Sequence, residues 1–243
     1  MEKRAILITG ASSDIGEKII SAIHDNYDLI YAHYAHNEDR LKRLKSKFGN
    51  KIVLIQDDFL AENSGKNVVK MVNEIGILPN HTILLSAPAV EQVKFSKVSW
   101  DMFANNINIS LKATVNILQP ILKDLVKQKL QGKIIFILTS CTTNIPPKFM
   151  TPYVTTKYAL LGLMKALSAE YASKGIMVNG ISPGMMETQF LKNTFAHAIE
   201  QNALNSPFGR NLLVDEIIPC VEFLLSNGSD RITGQNIVIS GGM

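Results

Sequence analysis

Thr9-Gly10-Ala11-Ser12-Ser13-Asp14-Ile15-Gly16 joins an apolar run, Ala5–Ile8, to an amphipathic one, Ile15–His24. Apolar residues without alternation read as a strand buried on both faces, and the amphipathic run reads as a helix. Between them, glycine lets the backbone turn tightly and come close to a phosphate group. The helix start offers free N–H groups and the positive end of its dipole. Strand, glycine turn and helix, in that order at the first junction, suit the binding of a dinucleotide pyrophosphate. Asp14 is out of character, because a carboxylate in an anion-binding turn is unfavourable unless it points away, as a helix N-cap would.

Outward from this turn the same alternation repeats. Further strands are expected over Leu29–His33, Ile52–Gln56, Thr82–Leu85, Lys133–Thr139, Met177–Ile181 and Asn236–Ile239, the first strand being Arg4–Thr9. Helical periodicity fills the gaps at Glu38–Phe48, Gly65–Glu74, Trp100–Lys129, Pro152–Ser173 and Val214–Ser226. Strands alternating with helices of this length imply right-handed βαβ units. The expectation is an α/β fold: a single doubly wound Rossmann domain over residues 1–243, with a seven-stranded parallel sheet and helices on both faces. Ligands in such sheets bind at the carboxyl ends of the strands. Gly10, Asp58, Ser86, Ser140 and Pro183 all follow expected strands, so one crevice would collect them.

Composition narrows the classes. The 243 residues are 46% hydrophobic and 19% charged, with a formal net charge of +4. The densest basic cluster, Arg40 to Lys47, alternates with Leu41 and Leu44, which reads as the solvated face of a helix rather than a nucleic-acid surface. Cys141 and Cys220 lie far apart, and two thiols without metal-ligand spacing suit a reduced, intracellular protein with both packed inside. His33 and His36 have no third ligand at sensible spacing, so no metal is expected. The apolar run after Met-Glu-Lys-Arg is too short for a signal peptide, and no segment approaches a membrane span; the expectation is a cytoplasmic protein without membrane or nucleic-acid partners.

Tyr153-Val-Thr-Thr-Lys157 carries the chemistry. Positions i and i+4 share a helix face, so the phenol and the ammonium lie side by side. A neighbouring cation favours the phenolate and would pull the tyrosine pKa down, giving a proton donor and acceptor for a carbonyl or alcohol. Ser140 ends an apolar run upstream and would hold the substrate oxygen.

Three segments together resemble the short-chain dehydrogenase/reductase family: the turn from Thr9 to Gly16, Ser140 with Tyr153 and Lys157, and Val178-Asn179-Gly-Ile-Ser-Pro183-Gly184 with Thr188. Ile232-Thr-Gly-Gln-Asn-Ile-Val-Ile-Ser-Gly-Gly extends the likeness to the carboxyl end, and the 3-oxoacyl-[acyl-carrier-protein] reductase-like branch is the nearest in character. The resemblance implies an NAD(P)(H)-dependent oxidoreductase interconverting a carbonyl and an alcohol, a 3-oxoacyl thioester being one candidate. Tyr153 would be the general acid or base, Lys157 would lower its pKa and hold the nicotinamide ribose, and Ser140 would bind the substrate oxygen. Gly10, Gly16 and the intervening Ser12, Ser13, Asp14 and Ile15 would form the pyrophosphate site. Asp58 would sit near the adenine, and Tyr34, His36, Ser86 and Ala87 would belong to the same cofactor site. Pro183, Gly184, Met186 and Thr188 would meet the nicotinamide. Residues around 185–210 would form a substrate lid, apolar through Met185 and Phe190, and the long helices would pair in a homodimer or homotetramer.

Departures from the family pattern accompany the match. Asp14 replaces the middle turn glycine, and Pro88 stands where a flexible glycine is usual, losing an N–H. The position of the family's catalytic asparagine, whose carbonyl holds a relay water, falls at Ser110; a shifted alignment offers Asn108. These departures keep a second reading open: a dinucleotide-binding relative with weak or no catalysis, acting as a sensor or assembly partner. The second strand ends without a carboxylate, and His36 and Arg40 suit a 2′-phosphate, so NADP is the expected cofactor and NAD the alternative, which the charge of Asp14 favours.

Overall fold

The computed structural model of the chain describes residues 3–243, so Met1 and Glu2 lie outside it. Seven strands form one parallel sheet in the order β3-β2-β1-β4-β5-β6-β7. They are β1 (Ala5–Thr9), β2 (Leu29–Tyr34), β3 (Ile52–Gln56), β4 (His81–Leu84), β5 (Gly132–Ile137), β6 (Ile176–Pro183) and β7 (Asn236–Ile239). The helices are α1 (Asp14–Ile23), α2 (Asp39–Phe48), α3 (Lys66–Ile75), α4 (Trp100–Asn106), α5 (Ala113–Gln128), α6 (Thr151–Tyr171), α7 (Ala196–Asn205) and α8 (Ile218–Leu225). None of them is long and apolar enough to cross a membrane.

Strand alternation divides the core in two. Ile6 and Ile8 of β1 point to the face covered by α1, α2 and α8, where Ile19, Ile20, Leu41 and Leu224 are buried. Ala5 and Leu7 point to the opposite face, against Val68, Ile117, Ile121 and Leu160 of α3, α5 and α6. Because the chain winds outward from β1 to β3 and then returns to place β4 on the other side of β1, the winding reverses between β1 and β4. A crevice opens there at the carboxyl ends. Thr9 bridges its two lips: the Thr9 hydroxyl accepts from the backbone N–H of Leu85 (3.1 Å) and of Ser86 (3.4 Å).

Two features depart from the expectations. Trp100–Lys129 is not one regular helix, because Ile107–Lys112 is wound as a π-helix between α4 and α5. The helix Ala196–Asn205 was not expected; none of its residues is buried, so it carries no strong apolar stripe. On α6, Met164 is fully buried in the core, while Tyr158 is exposed.

Buried histidines make this fold acid-sensitive. His81 is the first residue of β4, with its Nδ1 2.6 Å from the Tyr27 hydroxyl. Burial, with the charges of Arg4 and Lys133, pulls His81 down to about 3, and burial pulls His33 down to about 4. A histidine held below its unfolded value of ~6.5 stabilises the fold fully above that pH, and this contribution is lost as pH falls through the interval beneath it. Denaturation midpoints should therefore decline as pH is lowered from about 6.5 towards 3, and His81→Asn should flatten that slope; an unchanged acid slope in the variant would remove His81 from the account.

Candidate active site

A cavity of about 930 Å³ runs along the strand ends. One end is built on the turn after β1. Gly10 has φ of +64°, and a Cβ there would lie 3.2 Å from the Ser86 nitrogen, so both the left-handed backbone and the close approach require glycine. Ser13, not Asp14, caps α1, its hydroxyl accepting the Gly16 N–H (3.1 Å). A Cβ on Gly16 would stand 2.4 Å from the Ala11 carbonyl oxygen, so Gly16 closes the turn by packing and does not line the cavity.

His33 fixes this turn from beneath. Its Nδ1 accepts the Gly10 N–H (3.0 Å), which leaves Nε2 to donate to the Asp57 carbonyl (2.8 Å). The ring stacks on Phe59 at 4.1 Å, and the low pKa keeps it neutral, the state this bonding needs. Asp57 in turn accepts the N–H groups of Asn67 and Val68 at the start of α3. The neighbouring Asp58, which faces the cavity, is thereby tied to the glycine turn. Neither His33 nor Thr9 was foreseen as supporting the site. Their partners are tens of residues away, and only the β1–β2 and β1–β4 pairings bring them together.

The expected residues divide as follows. Ser12, Ser13, Asp14, Ile15, His36 and Asp58 wall the cavity with Gly10, as do Ser86 and Ala87. Tyr34 does not: it is buried against the sheet and its hydroxyl donates to Glu38 (3.1 Å). Ser86 lines this cavity, and its hydroxyl is buried without a partner among the described residues. A buried hydroxyl without a partner is costly. Together with the glycine cradle it fits a ribose-phosphate ligand such as a nicotinamide dinucleotide, held by Gly10, Ser12 and Ser13 at the phosphates and Ser86 at a sugar.

At the other end, Ser140, Tyr153 and Lys157 line the same cavity, with Pro183, Gly184, Met186 and Thr188 facing them. Ser140 opens the turn after β5, and α6 carries the other two on its buried face. Lys157 Nζ donates to the Ile137 carbonyl at the end of β5 (2.7 Å) and lies 5.7 Å from the centre of the Tyr153 ring. Burial pulls Lys157 down to about 8. Tyr153 departs from expectation: burial pushes its pKa up, and a bond to the Thr139 hydroxyl only partly offsets this. The i, i+4 argument counted the ammonium but not the desolvation of the phenol. Cys141 is half-buried and lines the cavity beside Ser140 instead of packing behind it, and Cys220 is also only half-buried. Ser110 is buried within the π-helix and does not reach the cavity wall, where Ile109 stands instead.

Replacing His33 by Leu should strand the Gly10 N–H and the Asp57 carbonyl at about 1–3 kcal/mol each. Urea unfolding should read that loss; a variant as stable as the wild type would show that His33 does not support the turn.

A family model described as enoyl-(acyl carrier protein) reductase, of the short-chain alcohol dehydrogenase type, matches residues 10–243. The chain is 30% identical to an acetoacetyl-CoA reductase of Shinella zoogloeoides over 98% of both chains. It is 26% identical to an L-rhamnose 1-dehydrogenase (NADP(+)) of Thermoplasma acidophilum, over 98% of this chain and 94% of that one. A 4-hydroxyisoleucine dehydrogenase solved with NADH superposes with a TM-score of 0.88 at 26% identity, covering 98% of this chain and 97% of the other. With the glycine turn, the Ser140–Tyr153–Lys157 cluster and a family match over nearly its whole length, the chain belongs to the short-chain dehydrogenase/reductase family of carbonyl/alcohol oxidoreductases.

Proposed function

We propose that this protein reduces the 3-oxo group of a short acyl thioester to an alcohol with NADP(H). The observation that carries the reading is the single cavity that holds Ser140, Tyr153 and Lys157 at one end and the glycine turn at the other. Similarity to an acetoacetyl-CoA reductase supports the thioester, as do the apolar Met185 and Phe190 that line the cavity; the Phe190 ring lies 5.8 Å from that of Tyr153. His36, Arg40 and Arg43 around the adenosine end, with no carboxylate at the end of β2, support the 2′-phosphate of NADP.

A bound nicotinamide supplies the hydride. The chain does the rest. Ser140 donates a hydrogen bond to the substrate carbonyl oxygen and Tyr153 donates its proton to the same oxygen. Burial keeps Tyr153 protonated at neutral pH, the state required of the acid. The phenolate left behind is costly in a buried site, and protonated Lys157 offsets that cost. Residues 185–210 close over the substrate as a lid. The α4–α6 face, where Trp100 and Tyr158 are exposed, packs against a second copy.

Tyr153→Phe should remove nearly all NADPH oxidation with acetoacetyl-CoA and leave the quenching of NADPH fluorescence on binding unchanged. Substantial residual turnover would sink the acid role. A wild-type protein that binds NADPH and turns over no thioester, diketone or sugar would instead favour a non-catalytic binder, the reading that Pro88 and Ser110 motivate. Because Lys157 titrates near 8, kcat/KM for reduction should be flat below that pH and fall as pH rises through it; a rate that rises there would contradict the role given to the ammonium.

A further inference from the structure

Asp14 is the residue that sequence reasoning could not place, and the structure gives it two partners. One carboxylate oxygen is 2.6 Å from Nη1 of Arg40 on α2, and Glu17 adds a second carboxylate 3.7 Å from the same nitrogen. The other oxygen of Asp14 accepts the backbone N–H of Gln189 (2.9 Å), at the start of the lid segment. One side chain thus ties the glycine turn to the first turn of α2 and to the lid. The pair is only partly exposed, so solvent does not fully screen it.

Arg40 and Arg43 face the cavity from α2, beside His36. The two differ. Arg43 has no carboxylate partner among the described residues, whereas Arg40 is already matched by Asp14 and Glu17. A 2′-phosphate arriving at this end must compete with Asp14 for the Arg40 guanidinium, and it also meets the Asp14 charge. A ribose with a free 2′-hydroxyl pays neither cost, because it leaves the pair intact. The pyrophosphate near Asp14 is common to both dinucleotides, so its repulsion cancels when they are compared.

We propose that Asp14 sets the cofactor specificity of this protein, holding Arg40 as an internal counter-ion and so weakening the preference for NADP(H) over NAD(H). The inference rests on the dinucleotide reading of the cavity. Its consequence is a protein that accepts both cofactors, with a preference released when the carboxylate is removed.

The test is a fluorescence titration of NADPH and NADH against the wild type, Asp14→Asn, Arg40→Ala and the double variant. Asparagine keeps an oxygen for the Gln189 N–H and removes only the charge, and thermal melting checks that each variant is folded. Asp14→Asn should tighten NADPH about tenfold relative to NADH, the size expected from freeing one partly buried ion pair. That gain in ratio should vanish in the Arg40→Ala background. Equal tightening of both nucleotides would overturn the proposal, as that is what general relief of repulsion at the pyrophosphate gives. A ratio gain that survives without Arg40 would also overturn it, and would assign the discrimination to Arg43 or His36. If neither nucleotide binds the wild type, the dinucleotide reading itself fails and this inference with it; if both bind and the ratio does not move, only the role of Asp14 fails.

Discussion

The ammonium of Lys157 donating to the carbonyl of Ile137 is the contact on which the reactive end depends. Ile137 is the last residue of β5, so its carbonyl is among the first not needed by the sheet ladder. By spending one proton of a buried cation on that carbonyl, the fold fixes how deep α6 sits against the strand ends. Tyr153, one turn earlier on the same face, is thereby placed in the cavity. Ser140 arrives at the same place because it follows β5 by three residues. A strand end, a buried cation and a helical repeat of four together position all three groups.

The nucleotide end obeys a similar logic with neutral groups. Thr9 and His33 each use side-chain atoms to satisfy backbone N–H groups just beyond the strand ends. In a parallel sheet these are the positions where the ladder stops and donors would otherwise be orphaned. His33 is suited to this because burial keeps it neutral, with one acceptor and one donor nitrogen on opposite edges of the ring. The Ser86 hydroxyl is the exception, buried beside the cavity without a partner among the described residues.

What the sequence made legible follows from the range of each signal. The seven strands could be read because burial on both faces demands uninterrupted apolar runs such as Ile134–Ile137, and the reactive triplet because four residues make one helical turn. Strand ends were less exact: β6 runs on to Pro183, two residues beyond the expected Ile181, because Ser182 and Pro183 still pair with β7. The helix Ala196–Asn205 left no trace because nothing buries it. The direction of the Tyr153 shift was misjudged because a spacing argument registers a neighbouring charge but not the loss of water around the phenol.

Asp14 marks the limit of that reading. Against the family pattern it is an isolated misfit, since a carboxylate there repels the anion that the turn would bind. Its partners Arg40 and Gln189 are 26 and 175 residues downstream, and no periodicity connects them to it. Only the sheet order, which sets α2 and the segment after β6 beside the same turn, turns a local liability into a three-way tie. The misfit is therefore compensated within the fold: the guanidinium neutralises the carboxylate, and the Gln189 N–H takes the remaining oxygen. The cost of that compensation falls on Arg40, a cation that a second anion must then share.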